Sequence, residues 1–127
     1  MKTIIRLMMI SIFMMLAAPA FGSVMSVYNC QQSDSAGEDD VVAIASDWLE
    51  SAKKVKGGEN LEVYVNFPVA AVMDNNDFML VVIAPSFTEW GTFMDNYSDH
   101  EAADEDKKYA DIANCNDSAL WESFKAE

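Results

Sequence analysis

The chain has 127 residues, with 21 Asp and Glu against 8 Lys and Arg and a formal charge of −13. That length suits one domain with its own core. A surface this acidic repels phosphate backbones and anionic lipid, which argues against nucleic-acid and membrane-surface binding.

The first 22 residues read as a leader. "MKTIIR" carries Lys2 and Arg6, "LMMISIFMMLAA" is an uncharged apolar run, and "APAFGS" offers cleavage after Ala20 or Gly22. Together these are the three regions of a secretory signal peptide. An uncleaved membrane anchor is the alternative, but the run falls short of the ~20 residues a span requires, and Pro19 interrupts its end. No cysteine stands at the cleavage site, so a lipoprotein is disfavoured. Cleavage removes Lys2 and Arg6 and no acid, taking the formal charge from −13 to −15 and leaving a single domain over residues 23–127. The expected location is secreted or periplasmic. The acidity gives solubility or suits a salty medium. Five of the nine methionines leave with the leader, which weakens any Met-rich copper site.

"VMSVYNC" (Val24 to Cys30) reads as strand 1, followed by the polar turn "QQSDSAGEDD". "SAGE" has the S-x-x-E form, so a helix is expected from Ser35 with Glu38 reaching back. Glu38, Asp39 and Asp40 would then occupy its first turn, where the dipole favours acids. Val41, Ile44, Ala45, Trp48, Ala52 and Val55 make one apolar stripe. Lys53, Lys54 and Lys56 crowd the last turn before Gly57-Gly58. In "NLEVYVNFPVA", Leu61, Val63, Val65 and Phe67 share one side of strand 2, while Glu62, Tyr64 and Asn66 share the other. Pro68 ends this strand or keeps it at an edge.

"MDNND" (Met73 to Asp77) is a turn on composition. "FMLVVIA" (Phe78 to Ala84) is continuously apolar, as a strand buried on both faces reads. "SFTE" (Ser86 to Glu89) repeats the cap and opens a helix whose Phe87, Trp90, Phe93, Met94 and Tyr97 share a face. "DHEAADEDKKYADIA" reads as a more polar second helix. "SALWESFKA" (Ser118 to Ala126) reads as strand 4, with Leu120, Glu122 and Phe124 facing one way and Ala119, Trp121 and Ser123 the other.

The order β-α-β-β-α(α)-β fits two interleaved right-handed crossovers. The expected fold is therefore α+β and ferredoxin-like: a four-stranded antiparallel sheet of order 4-1-3-2 with helices on one face. Strand 3 is then central and strand 2 an edge, as their residues suggest. A central strand apolar on both sides needs a cover on the open sheet face. A domain of this size has no further element to supply it, so a homodimer packed sheet against sheet is expected.

"VYNC", "SDWLESAKK", "VYVNFPVA", "DFMLVVIAPSFTEWG" and "CNDSALWES" resemble small exported bacterial proteins of the dimeric α+β-barrel type. That group is related in fold to the antibiotic-biosynthesis-monooxygenase-like and stress-responsive barrel proteins. The resemblance covers most of residues 24–125. It implies the fold and the dimer, and it transfers no catalytic residue to this chain.

The candidate chemistry is sparse. His100 is the one histidine, in "YSDHEAAD". As a metal ligand, haem ligand or general base it lacks a partner motif, and an exposed helix start is the simpler reading. "DNND" (Asp74 to Asp77) has oxygen donors without calcium-loop spacing, and "DHEAADED" reads as a solvated helix start. No phosphate-binding, nucleophile-elbow or zincin motif occurs, and neither a metal nor a cofactor is expected. "NYS" at Asn96 and "NDS" at Asn116 would be glycosylated only in a eukaryotic secretory host.

Tyr28, Tyr64 and Trp121 fall on three strands, and Asn66 shares a face with Tyr64. On the open sheet face they would line either a small-molecule pocket or a plain dimer core. Trp48, Trp90, Phe87 and Phe93 are expected in the core.

Cys30 ends strand 1 and Cys115 stands three residues before strand 4. In order 4-1-3-2 those ends are neighbours, so a Cys30–Cys115 disulfide is expected in an oxidising compartment. Closing such a loop contributes roughly 4–5 kcal/mol. A redox-active or metal-binding pair lacks C-x-x-C spacing and a nearby histidine. Two functions follow as expectations. One is a non-catalytic module that binds a small apolar ligand or a partner. The other is a cofactor-free monooxygenase-like enzyme acting on a small aromatic or electron-rich substrate.

Overall fold

A computed structural model describes residues 22–70, 77–124 and 126. The expected signal peptide over residues 1–22 lies outside the described residues except for Gly22. The "DNND" turn and cation site lies outside them except for Asp77.

The elements run β1 (Ser23–Gln32), α1 (Glu38–Ala52), β2 (Glu62–Asn66), β3 (Asp77–Ala84), α2 (Phe87–Tyr97), α3 (Ala102–Ile112) and β4 (Ala113–Ser123). The four strands form one antiparallel sheet in the order β2-β3-β1-β4, which is 4-1-3-2 read from the other edge. The fold is ferredoxin-like, as the sequence predicts.

Register settles which side chains share a face. Val24, Ser26, Tyr28 and Cys30 of β1 stand opposite Ala84, Val82, Leu80 and Phe78 of β3. Val63 and Val65 of β2 pair with Val82 and Leu80 in the same rows. This is the face the helices cover. Val24, Cys30, Phe78, Val82 and Ala84 are buried there with Val41, Ala45 and Ala52 of α1 and Phe93 of α2. The alternate residues Met25 and Val27, Met79, Val81 and Ile83, Tyr64, and Ala119 and Trp121 form the other face.

Three local readings are corrected. Helix α1 begins at Glu38, not Ser35, because Asp40 does the capping: the Gly37 N–H donates to its carboxylate at 2.7 Å. An acid at the third helical position can satisfy the free donor directly, which leaves Ser35 in the loop, 3.5 Å from Ser33 Oγ. Helix α1 also stops at Ala52 and tightens into turns, so Val55 is buried from outside the helix. Gly57 then takes φ +89°, where a side chain is strained. The cap at Ser86 forms as expected: its Oγ accepts from Glu89 N at 3.2 Å.

The third correction concerns β4. It starts at Ala113, directly after α3, and ends at Ser123, so Cys115 lies inside the strand. Pairing slips by one residue between Asn29↔Asp117 and Cys30↔Cys115, leaving Asn116 as a bulge. The polar run "NCND" is paired backbone at a sheet edge, where exposed side chains conceal the strand.

Candidate functional site

A cavity of about 370 Å³ lies between the helices and the covered face of the sheet. Each helix contributes residues at helical spacing: Ala45 and Trp48 from α1; Trp90, Phe93, Met94 and Tyr97 from α2; Asp106, Tyr109 and Ala110 from α3. Tyr28, Leu80, Val82 and the start of β4 complete the wall. Phe93, Val82, Tyr109 and Ala113 are buried, whereas Met94, Asp106, Ala110 and Asn114 are exposed, so the latter mark the mouth. The volume suits a molecule of about two or three fused rings.

The aromatic wall is locked by mutual packing. The ring of Phe93 lies 5.0 Å from Tyr97, 5.8 Å from Trp90 and 6.3 Å from Trp48, the last edge-on. Such pairs are worth roughly 0.5–1.5 kcal/mol each beyond burial. Trp48 Nε1 donates to Tyr97 Oη at 2.7 Å, and Tyr97 Oη is 3.3 Å from the Ala102 carbonyl. Trp48 and Tyr97 are thereby fixed with their polar ends together.

Asp106 joins them from α3. Loss of solvent pushes its carboxyl above the ordinary carboxylate value, while hydrogen bonds from Tyr97 and Trp48 work against that rise. Burial also pushes the Tyr97 phenol up. Trp48 opposes that shift and the Asp106 charge adds to it, so Tyr97 stays protonated and donates. The arrangement is a carboxylate beside the Trp48–Tyr97 hydrogen bond at one edge of an apolar cavity. Such a group can accept a hydrogen bond or a proton from a bound molecule.

Tyr109 is the second polar feature. It is 8% exposed, and its hydroxyl is buried without a hydrogen-bond partner. Burial pushes its pKa up to about 12. An unpaired buried hydroxyl costs roughly 1–3 kcal/mol.

The structure separates the residues expected to form one site. Tyr28 is on the covered face, in the cavity wall. Tyr64, Asn66 and Trp121 belong to the opposite face, opposite Val81, Met79 and Met25 respectively. Tyr64 and Trp121 stand on the two outer strands, about 14 Å apart at ordinary strand spacing, too far to line one small pocket within a single chain. Tyr64 Oη donates to Glu62 at 2.7 Å, and that carboxylate raises the phenol pKa. Of the expected core aromatics, Phe93 is buried, Trp48 and Trp90 line the cavity, and Phe87 is 49% exposed. Phe87 is the first residue of α2 and lies beyond the packed stripe.

Sequence reasoning missed Asp106, Tyr97 and Tyr109 as site residues. The signal was available: Asp106, Tyr109 and Ala110 share one face of a helix that reads as polar. His100 Nδ1 accepts from Ala102 N at 3.1 Å, a local contact at the start of α3. Among the described residues no three His, Cys, Asp or Glu side chains gather as a metal site.

Cys30 and Cys115 are joined by a disulfide between directly paired residues, Cα–Cα 3.9 Å, spanning a sequence separation of 85. Cys115 is also part of the cavity wall.

No family model and no curated protein matches this chain. Solved structures do. The crystal structure of a variant of SnoaB, a cofactor-independent oxygenase from Streptomyces nogalater, matches with TM-score 0.58 at 5% identity, covering 83% of this chain and 96% of that one. A protein of unknown function from Bacteroides thetaiotaomicron, described as a possible oxidoreductase, matches with TM-score 0.53 at 9% identity, covering 81% and 99%. A dimeric ferredoxin-like protein of unknown function from Thermobifida fusca gives TM-score 0.47 at 18% identity, covering 83% and 92%. The likeness is one of fold: the chain has the ferredoxin-like α+β fold.

Proposed function

We propose that this protein is exported and binds a small, flat, largely apolar molecule in the cavity under its helices. The observation that carries this is the pairing of an aromatic wall with one polar edge, Trp48–Tyr97–Asp106. Apolar walls with a few fixed polar groups are how proteins hold such ligands. Export fits the disulfide and the leader-like first 22 residues. No helix among the described residues is long and apolar enough to cross a membrane.

Two copies pair through the open sheet face in this reading. Trp121 is 57%, Tyr64 49% and Met79 39% exposed there, a concentration of large apolar side chains that a second sheet would cover.

A second reading, a cofactor-free oxygenase, is favoured by Asp106. A carboxylate with raised proton affinity at the cavity edge can withdraw a proton from an electron-rich ring. The resulting anion is able to reduce dioxygen directly. The SnoaB likeness in fold is compatible with that chemistry.

Native mass spectrometry of the protein exported by its host tests the main reading. The expected spectrum shows a chain starting after Ala20 or Gly22, one internal disulfide, twice the chain mass and a retained small molecule. A reduced monomer that keeps residues 1–22 and retains no ligand would refute it.

A further inference from the structure

Helix α3 carries three successive acids, Asp104, Glu105 and Asp106. Side chains three positions apart meet on a helix, and two of the acids have a lysine there. Lys107 Nζ lies 2.7 Å from Asp104 Oδ1, and Lys108 Nζ lies 2.8 Å from Glu105 Oε1. Asp106 has Tyr109 at that spacing and makes no ion pair among the described residues. Asp104 and Glu105 lie outside the cavity wall, whereas Asp106 is part of it. Among the described residues it is the only charged side chain of the wall, which holds no lysine, arginine or histidine. The groups beside its carboxylate are neutral. The Trp48 N–H is spent on Tyr97 Oη at 2.7 Å, and that phenol has a single hydrogen to give. A carboxylate accepts about four hydrogen bonds. Most of its acceptor capacity is therefore open at the mouth, where Asp106 is exposed beside Met94, Ala110 and Asn114.

We infer that the ligand of this cavity is a cation: a flat apolar body among the aromatic rings, with an ammonium or similar positive group at the mouth, paired with the Asp106 carboxylate. The inference rests on the cavity being a ligand site and adds the sign of the charge the ligand carries. A neutral donor would use the same lone pairs but leave the charge of Asp106 uncompensated. Loss of solvent already acts on that carboxyl, so a positive charge gains more there than in open water. The chain as a whole points the same way, since 21 acids against 8 bases draw cations and repel anions. Aromatic rings also tolerate a cation better than an anion, because their faces carry negative charge. Trp48, Trp90, Phe93 and Tyr97 line this wall.

The test uses three probes with one ring system and one short arm. Naphthylmethylammonium, naphthylmethanol and naphthylacetate end in a cation, a neutral hydroxyl and an anion. Equilibrium dialysis against the full exported protein at about 0.15 M salt, where longer-range attraction is screened, gives the three affinities. The ammonium should bind about three- to tenfold more tightly than the alcohol, between an exposed ion pair and a charge-assisted hydrogen bond, and the acetate most weakly. Asp106→Asn should lose the preference for the ammonium, and Asp106→Glu should keep it. Asp104→Asn removes the same charge from the same helix outside the wall, and should also keep it. In the natural protein the Asp106 carboxyl carbon, followed by NMR, should shift more with the ammonium than with the alcohol. Equal binding of ammonium and alcohol, or equal carboxyl shifts, overturns the inference and leaves the ligand site standing. So does a preference that survives in Asp106→Asn or falls equally in Asp104→Asn, because the general charge of the chain is then its source. No binding of any probe to the natural protein overturns both the inference and the reading of the site.

Discussion

Removing the disulfide should cost this domain at least about a third of an ordinary domain's stability. Cys30 and Cys115 close a loop of sequence separation 85. In the chain-entropy relation that length corresponds to about 4.6 kcal/mol of restraint on the unfolded state. Small domains have roughly 5–15 kcal/mol in total. The bond also matters locally. Among the described residues β4 pairs with β1 alone, and most of its side chains are exposed, so little apolar burial holds it. The perturbation is the Cys30→Ala, Cys115→Ala double variant, unfolded in urea beside the oxidised protein. With a denaturant slope of about 1.5 kcal/mol/M, the midpoint should fall by about 3 M. Amides of Ala113–Ser123 should lose hydrogen-exchange protection before those of β3. A midpoint shift below about 1 M with an unchanged slope would refute the reasoning, because the loop would then have been restrained by packing alone.

Two further perturbations probe the site and its support. Asp106→Asn should make stability less dependent on pH. The folded carboxyl binds its proton more tightly than the unfolded one, so the stability it contributes is complete below the ordinary pKa of 3.8 and lost as pH climbs through the raised value. The asparagine variant should therefore match the natural protein in urea midpoint at pH 3 and exceed it at pH 7; equal midpoints at both would contradict the raised proton affinity of Asp106. Gly57→Ala should destabilise by more than the ~0.4–1 kcal/mol that the same change contributes in stability at a compatible site. Its φ is +89°, and a Cβ there would lie 2.5 Å from Phe93 N and 2.8 Å from Glu89 O. Thermal melts of the variant check this, and a shift of only a degree or two would show that the α1–β2 connection can move away from α2.

The fold was legible because its signals are periodic. The apolar stripe of α1, the continuous apolar run of β3 and the proline after β2 each report burial, and burial follows position in the sheet. Strand order then brought Cys30 beside Cys115. Boundaries were less legible where backbone pairing and side-chain burial part company. "NCND" is hydrogen-bonded strand with exposed side chains, and nothing in its residue types records the pairing. The cavity was harder still. Trp90, Phe93, Met94 and Tyr97 have the pattern of a packed helix face, and a face that borders a void uses the same residues at the same spacing. Only the polar ends differ, and those of Trp48, Tyr97 and Asp106 meet across three helices that are distant in sequence. Tyr28 groups with Tyr64 and Trp121 in the sequence because a strand's two sides cannot be told apart until its register is known.

The central strand β3 separates two chemistries by a single residue step. Phe78, Leu80, Val82 and Ala84 look toward the core and cavity, and Met79, Val81 and Ile83 toward the other side of the sheet. Under the proposed function, ligand preference and self-association would be set by different residues of β3, because none of its side chains belongs to both surfaces. Under that reading, a substitution series along the strand should alternate in phenotype with period two, Leu80 and Val82 altering what the cavity admits and Met79, Val81 and Ile83 whether two sheets adhere.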